Sequence, residues 1–221
     1  MKIRFVIILI LLSCLGMTAI AETASEDGFK DLFNGNDLTG WKIWGDPAGY
    51  KVEDGVIRSV TGWGHAYGMY YEKEQFGDFI LKIDWRVSEK GNSGVFIRVP
   101  TIEGPPKDNH PWVTGYEVQI SCEEPRRDDA HCTGSLYGYH AVSSRPAEDA
   151  GVWRNYEITC KGDNITVKVD DIVVNSFDQN SKEDTKEKPL KGYIAVQDSH
   201  GPAGSWVEYR NIRVKQLSMP E

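Results

Sequence analysis

Glu117 and Gln119 stand two residues apart in "GYEVQI" (115–120), interleaved with Tyr116, Val118 and Ile120. Successive side chains of a strand leave on opposite faces, so the apolar trio faces a core and the acid and amide share the other side. A plain solvent face would carry Lys, Thr or Ser. A carboxylate beside an amide, just ahead of a long polar loop, suits proton transfer and hydrogen bonding to a ligand. The same reading of "SGVFIRV" (93–99) turns Val95, Ile97 and Val99 inward, with Gly94, Phe96 and Arg98 opposite. In "GYIAVQD" (192–198), Ile194 and Val196 turn inward and Tyr193, Ala195 and Gln197 outward. An Arg, a Glu, two Gln and two aromatics on non-core faces describe a lined groove, since ligand sites need few polar groups among apolar ones. They describe ordinary solvent-facing residues equally well, because alternation fixes a face and not which strands are neighbours.

The five histidines, His65, His110, His131, His140 and His200, all fall in loops. His200 follows Asp198 closely, and a nearby carboxylate orients and charges an imidazole. The chain contains no H-E-x-x-H and no G-x-S-x-G, and the Gly-rich "GWGHAYG" leads into no helix, which argues against a phosphate loop.

Strands must carry these residues. Alternation recurs in "YKVEDGVIRSV", a hairpin about "EDG", in "FILKIDWRV", in the hairpin "NYEITCKGDNITVKVDDIVV" and in "WVEYRNIRVKQL". Half-buried runs of five to nine residues between Gly, Asn and Asp predict an all-β fold, an antiparallel β-sandwich or jelly roll. "TIEGPPKDNHPW" and residues 121–150 interrupt the rhythm, and loops of that length are often functional. "NSKEDTKEK" reads as a solvated charge run.

The N-terminus reads as a leader. "MKIR", then "FVIILILL", then Ala19-x-Ala21 predicts a signal peptide over 1–21 and one domain over 22–221, in a protein that is periplasmic or secreted. In a competing reading, Cys14 of "LLSC" is a lipid-modified lipoprotein terminus. Loss of Lys2 and Arg4 with the leader leaves 23 basic against 33 acidic residues, net −10. That charge argues against nucleic acid and anionic membrane surfaces. No later segment is apolar enough to cross a membrane. Seven Trp and ten Tyr favour ligands with apolar faces, such as sugars. Of the remaining cysteines, Cys160 reads as a buried strand residue, and an oxidising compartment predicts a Cys122–Cys132 disulfide.

"FKDLFNGNDLTGWKIWG", "YKVEDGVIRSVTG", "KIDWRVSEKGNSGVFIRV", "GYEVQI", "TGSLYG", "WRNYEITCKGDNITVKVDD" and "GYIAVQD…RNIRVK" follow in that order. Together, over roughly residues 28–217, they resemble the bacterial 3-keto-disaccharide hydrolase domain family. The resemblance implies a concanavalin A-like jelly roll, an exported location and action on glycosides oxidised at C3. This chain departs from the family's usual "LQDHG" by an inserted Ser199 and a longer following loop, which leaves the position of His200 open. The substrate chemistry needs a base for the acidified C2 proton, a positive group or metal at the C3 oxygen, and an acid for the leaving group. The expected assignment makes Glu117 the base, Arg98 the enolate stabiliser, and Asp198 with His200 the acid/base pair. Gln119 and Gln197 would bind hydroxyls, and Phe96, Trp63 or Tyr139 would stack on the ring. Glu117, Asp198 and His200 could instead hold a hard divalent ion. Non-catalytic sugar binding on the same fold is the alternative.

Overall fold

The computed structural model describes residues 28–64, 66–100 and 110–218. The expected leader, Cys14, His65 and the segment 101–109 lie outside the described residues. Two antiparallel sheets face each other. The larger contains, in spatial order, β11 (Ile172–Asp178), β10 (Asn164–Val169), β9 (Arg154–Lys161), β6 (Phe79–Val87), β13 (Trp206–Gln216), β4 (Val56–Val60) and β3 (Tyr50–Glu53), with the short β1 (Lys30–Asp31) also paired to β13. The smaller contains β2 (Trp41–Gly45), β5 (Ala66–Tyr71), β12 (Tyr193–Val196), β7 (Asn92–Val99) and β8 (Tyr116–Ser121). A single helical turn, α1 (Pro111–Thr114), precedes β8. The expected all-β sandwich is what forms.

The period-two pattern produces this arrangement directly. In β6, Phe79, Leu81, Ile83, Trp85 and Val87 are buried, and each intervening residue is half-buried. Facing them across the sandwich are Val95 and Ile97 of β7, Tyr116, Val118 and Ile120 of β8, and Ile194 and Val196 of β12. Each such side chain contributes roughly 1.5–3 kcal/mol of apolar transfer free energy on burial. The hairpins at Asp54–Gly55 and at Gly162–Asp163 form in the expected register.

One expectation fails, and the failure matters for the site. Arg98 has a left-handed backbone (φ 55°). Pairing between β12 and β7 shifts there: Tyr193 meets Val99 while Ala195 meets Phe96, so β7 spends three residues where β12 spends two. This bulge reverses the alternation, as an extra residue in one strand must. Val99 joins Phe96, Ala195 and Tyr70 on the outer face, and the Arg98 side chain is fully buried. Two glycines admit the bulge. A Cβ on Gly115 would sit 2.4 Å from the Ile97 carbonyl oxygen, and one on Gly192 would sit 2.4 Å from the Arg98 carbonyl carbon. Gly115 heads "GYEVQI" because a neighbouring backbone occupies the space of its side chain.

Cys122, Cys132 and Cys160 are all free thiols, so the expected Cys122–Cys132 disulfide is not formed. Cys122 donates to the Glu148 carbonyl at 3.0 Å, while Cys132 points to the carbonyl oxygens of Asp129 and Thr133. Burial pushes the Cys132 thiol up to about 11 and Cys160 up to about 12.

Candidate active site

The outer face of the smaller sheet holds a pocket of about 390 Å³. Glu117 and Gln119 from β8, Phe96 and Asn92 from β7, and Gln197 just after β12 line its floor. These strands are neighbours in the order β12–β7–β8, so the non-core faces read from three separate segments form one surface.

Glu117 is the unusual member. It is 3 % exposed, and its carboxyl group makes no hydrogen bond among the described residues. Burial pushes its pKa up to about 8, against the opposing pull of the positive charges of His200 and Arg127. Gly94 on β7 makes room for it: a Cβ there would lie 2.3 Å from the Glu117 Oε1 atom. The absence of a side chain at 94 thus lets the carboxyl group fold over the neighbouring strand.

His200 lines the pocket from the loop after β12. Its Nδ1 lies 3.0 Å from Asp198 Oδ1, and its backbone N–H donates to the Asn92 carbonyl at 2.7 Å. The bond to Asp198 raises the imidazole's pKa, burial opposes the rise, and the charges of Asp198 and Glu117 add to it. With Nδ1 turned toward Asp198, whose Oδ1 has no other partner among the described residues, Nε2 is the nitrogen left for a ligand. Asp198 is buried and does not line this pocket, and its carboxylate favours the charged form of the imidazole.

A polar chain runs across the floor. Gln119 Nε2 donates to Asn92 Oδ1 at 3.3 Å, and Asn92 Nδ2 donates to Glu123 Oε2 at 3.1 Å. Glu123 accepts from Nε and Nη2 of Arg127, whose Nη1 donates to the Tyr137 hydroxyl at 3.2 Å. The Oε1 atoms of Gln119 and Gln197 are buried with no partner. Buried acceptors are normally paired, so two orphans in one pocket wall mark where donors of a ligand belong.

Several residues expected at the site lie elsewhere. Arg98 points away from the pocket: it donates to the Gly162 carbonyl at 2.7 Å and to Gln179 Oε1 at 3.2 Å, and lies 4.0 Å from Asp78. It fastens the smaller sheet to the β9–β10 turn. Trp63 stacks under Lys51, 4.1 Å from ring centroid to Nζ, and does not line the pocket. Tyr139 packs against Tyr116 and under Lys188. Lys188 itself is clamped to the carbonyls of Val113 and Gly115, which ties down α1, and burial lowers its pKa to about 8. Among the described residues no group of three His, Cys, Asp or Glu side chains is arranged to hold a metal. Glu117, Asp198 and His200 therefore do not fit as a ready ligand set.

Arg127, Tyr137, Glu123, Asn92, Tyr67 and His110 line the pocket without having been singled out from the sequence. Tyr137 had a legible signal. The segment 133–140 runs along the free edge of β8: Tyr137 N–H donates to the Glu117 carbonyl at 3.0 Å, and Leu136 bridges Val118. With Leu136 in the core, alternation sends Tyr137 to the side of Glu117. Arg127 left no periodic trace, since it arrives on an irregular loop.

The family described as the 3-keto-alpha-glucoside-1,2-lyase-like domain matches residues 28–215. The chain belongs to this family. The 3-keto-disaccharide hydrolase of Bacteroides thetaiotaomicron is 26 % identical to it over 243 aligned positions, spanning 91 % of this chain and 82 % of that protein. A candidate glycosyl hydrolase from Parabacteroides distasonis ATCC 8503, solved as a crystal structure, superposes with a TM-score of 0.69 at 26 % identity, over 87 % of this chain and 95 % of the other. The Bacillus licheniformis β-glucanase is similar in fold alone, with a TM-score of 0.54 at 13 % identity over 86 % of this chain and 97 % of that one. The family and the jelly-roll fold implied by the sequence resemblance are thus the ones found.

Proposed function

We propose that this protein cleaves glycosides oxidised at C3, by elimination followed by hydration, and that it acts outside the cytoplasm. The observation carrying the proposal is Glu117. A buried carboxyl group whose pKa is lifted to about 8 by desolvation, facing a pocket with unpaired hydrogen-bond acceptors, suits a general base poised near neutral pH better than a mere sugar contact. The family match and the named relatives support the substrate class.

The ketone acidifies the C2–H bond because the electron pair left behind delocalises onto the C3 oxygen. Glu117 takes that proton. The guanidinium of Arg127, in the same pocket, takes the electrostatic role expected of Arg98 and stabilises the enolate oxygen. The enolate pair then forms the C1–C2 double bond as the C1–O bond breaks, and His200 gives its Nε2 proton to the departing oxygen. Hydration runs in reverse: His200 takes a proton from water as its oxygen bonds to C1, and Glu117 returns a proton to C2. The sum is hydrolysis. The unpaired Gln119 and Gln197 oxygens accept from ring hydroxyls, and Phe96 offers an apolar face.

A time course of residues 22–221 with a 3-keto-glucoside, with and without EDTA, tests this. Alcohol release with transient ultraviolet absorbance of an unsaturated ketone is expected. Tight binding of unoxidised sugar with no release from several 3-keto-glycosides would establish a sugar-binding domain instead. The EDTA arm reads directly whether a divalent ion takes part.

A further inference from the structure

The polar chain on the pocket floor has a direction, and its charged end fixes it. Arg127 is a guanidinium and can only donate. Its Nε and Nη2 donate to the Glu123 carboxylate, which can only accept, and which also takes Ser121 Oγ at 3.3 Å and Asn92 Nδ2 at 3.1 Å. Because Glu123 claims the NH₂ group of Asn92, the oxygen of that amide is the atom turned to Gln119. It accepts from Gln119 Nε2 at 3.3 Å, which leaves the buried Gln119 Oε1 as the atom without a partner among the described residues. A glutamine amide in isolation turns over at little cost and offers a donor or an acceptor. This one is held as an acceptor by a carboxylate two links away.

A sugar oxidised at C3 has a matching asymmetry. Its hydroxyls donate or accept, whereas its ketone can only accept. A ketone set against Gln119 would meet oxygen with oxygen and leave both unpaired, while a hydroxyl there completes the chain. Arg127 is the opposite case. Three of its five N–H groups are engaged among the described residues, so it keeps donors for an oxygen that only accepts.

We propose that Asn92, oriented by Glu123, is a specificity-determining residue: by holding Gln119 as an acceptor, it admits a hydroxyl there, rejects a ketone, and so turns the oxidised carbon toward Arg127. This role rests on the reaction given above, in which Arg127 meets the C3 oxygen. It supplies the repulsive element that denies the ring its other registers.

The probes are derivatives of 1,5-anhydroglucitol, which carries nothing at C1 to depart, so binding is read by calorimetry without cleavage. The 3-keto compound is the reference. Its isomers oxidised at C2 or C4, and its own 6-fluoro derivative, each replace one hydroxyl by a group that accepts but cannot donate. At least one of these should bind the wild type about tenfold or more weakly than the reference. Asn92→Leu frees the Gln119 amide to turn, and that penalty should shrink to about twofold. Asn92→Asp presents oxygen to Gln119 in either orientation and shares a proton with Glu123, so the penalty should return. Both variants keep the backbone carbonyl that accepts from His200. A merely structural residue would weaken all the probes alike. No penalty at any position, an undiminished one in Asn92→Leu, or its loss in Asn92→Asp would each overturn the role. Should the variants fail to fold, NMR of the native protein decides: the Gln119 side-chain amide protons should exchange slowly and show contacts to Asn92, and rapid exchange without those contacts would overturn it. Failure of the 3-keto reference to bind would instead overturn the substrate reading, which the amide protons do not depend on.

Discussion

Arg98 and Glu117 are buried charged residues on adjacent strands, yet they are solvated in opposite ways. Arg98 has both terminal guanidinium nitrogens answered, by the Gly162 carbonyl and by Gln179 Oε1, with Asp78 4.0 Å away, and leaves only Nε without a partner among the described residues. Glu117 has no hydrogen-bond partner among the described residues and relieves its burial by a pKa raised to about 8. A buried charge whose main donors are paired is part of the architecture. An unsatisfied one facing a pocket is free energy held in reserve for a ligand or a proton.

The contrast is broken or sharpened by substitution, beginning with Glu117→Gln. Turnover of a 3-keto-glucoside should fall by about 10³-fold or more, with circular dichroism unchanged; full activity would remove Glu117 from the mechanism. The same variant should be the more stable protein. Because the folded-state pKa lies above the ordinary value of 4.5, the wild type loses stability as pH rises from 4.5 to about 8 and no further beyond it. The melting temperature of Glu117→Gln should therefore match wild type near pH 4.5, exceed it by a few degrees at pH 8, and hold that margin above.

Arg98→Met should do the reverse. Stability should drop by about 2–4 kcal/mol in urea unfolding, because partners of a buried charge are left unpaired. The kcat of the folded fraction should change little. A catalytic loss without loss of stability would return Arg98 to the site. Gly94→Ala probes the space Glu117 occupies: its new methyl group collides with Oε1, Cγ and the carboxyl carbon of that buried side chain, so kcat should fall by about 10- to 100-fold, with a loss of stability smaller than that of Arg98→Met. The smallest effect is expected of Asp198→Asn. Its loss lowers the imidazole pKa, so the alkaline limb of the pH–rate profile, set by His200 giving up its proton, should move to lower pH, with near-normal rates below that limb. Glu117 and His200 favour each other's charge, so the two limbs belong to the pair.

Most of the fold was legible because its strands keep strict alternation. "FILKIDWRV" and "GYEVQI" bury the residues that a two-residue period selects, and the site residues Glu117, Gln119, Phe96 and Gln197 follow from it. The period breaks at Arg98, where one extra residue in β7 reverses every face beyond it. Its trace was the glycines: Gly115 and Gly192 crowd the bulge from β8 and from the entry to β12. Residues brought by loops had no period to betray them. Arg127 reaches the pocket through the polar segment after β8, and Tyr137 was separable from Tyr139 only through the core position of Leu136.

The central claim is that Glu117 moves the C2 proton. Cleavage of a 3-keto-glucoside in D₂O, followed by NMR and corrected for exchange into preformed 3-keto-glucose, reads that proton directly. The account predicts up to one deuterium at C2 of the released sugar for each bond broken, less to the extent that Glu117 returns the abstracted proton before it exchanges. It also predicts a primary isotope effect with a C2-deuterated substrate, and neither cleavage nor exchange with Glu117→Gln. Cleavage that leaves protium at C2 and shows no isotope effect with a C2-deuterated substrate would contradict it, and would point to direct displacement of the glycosidic bond at C1.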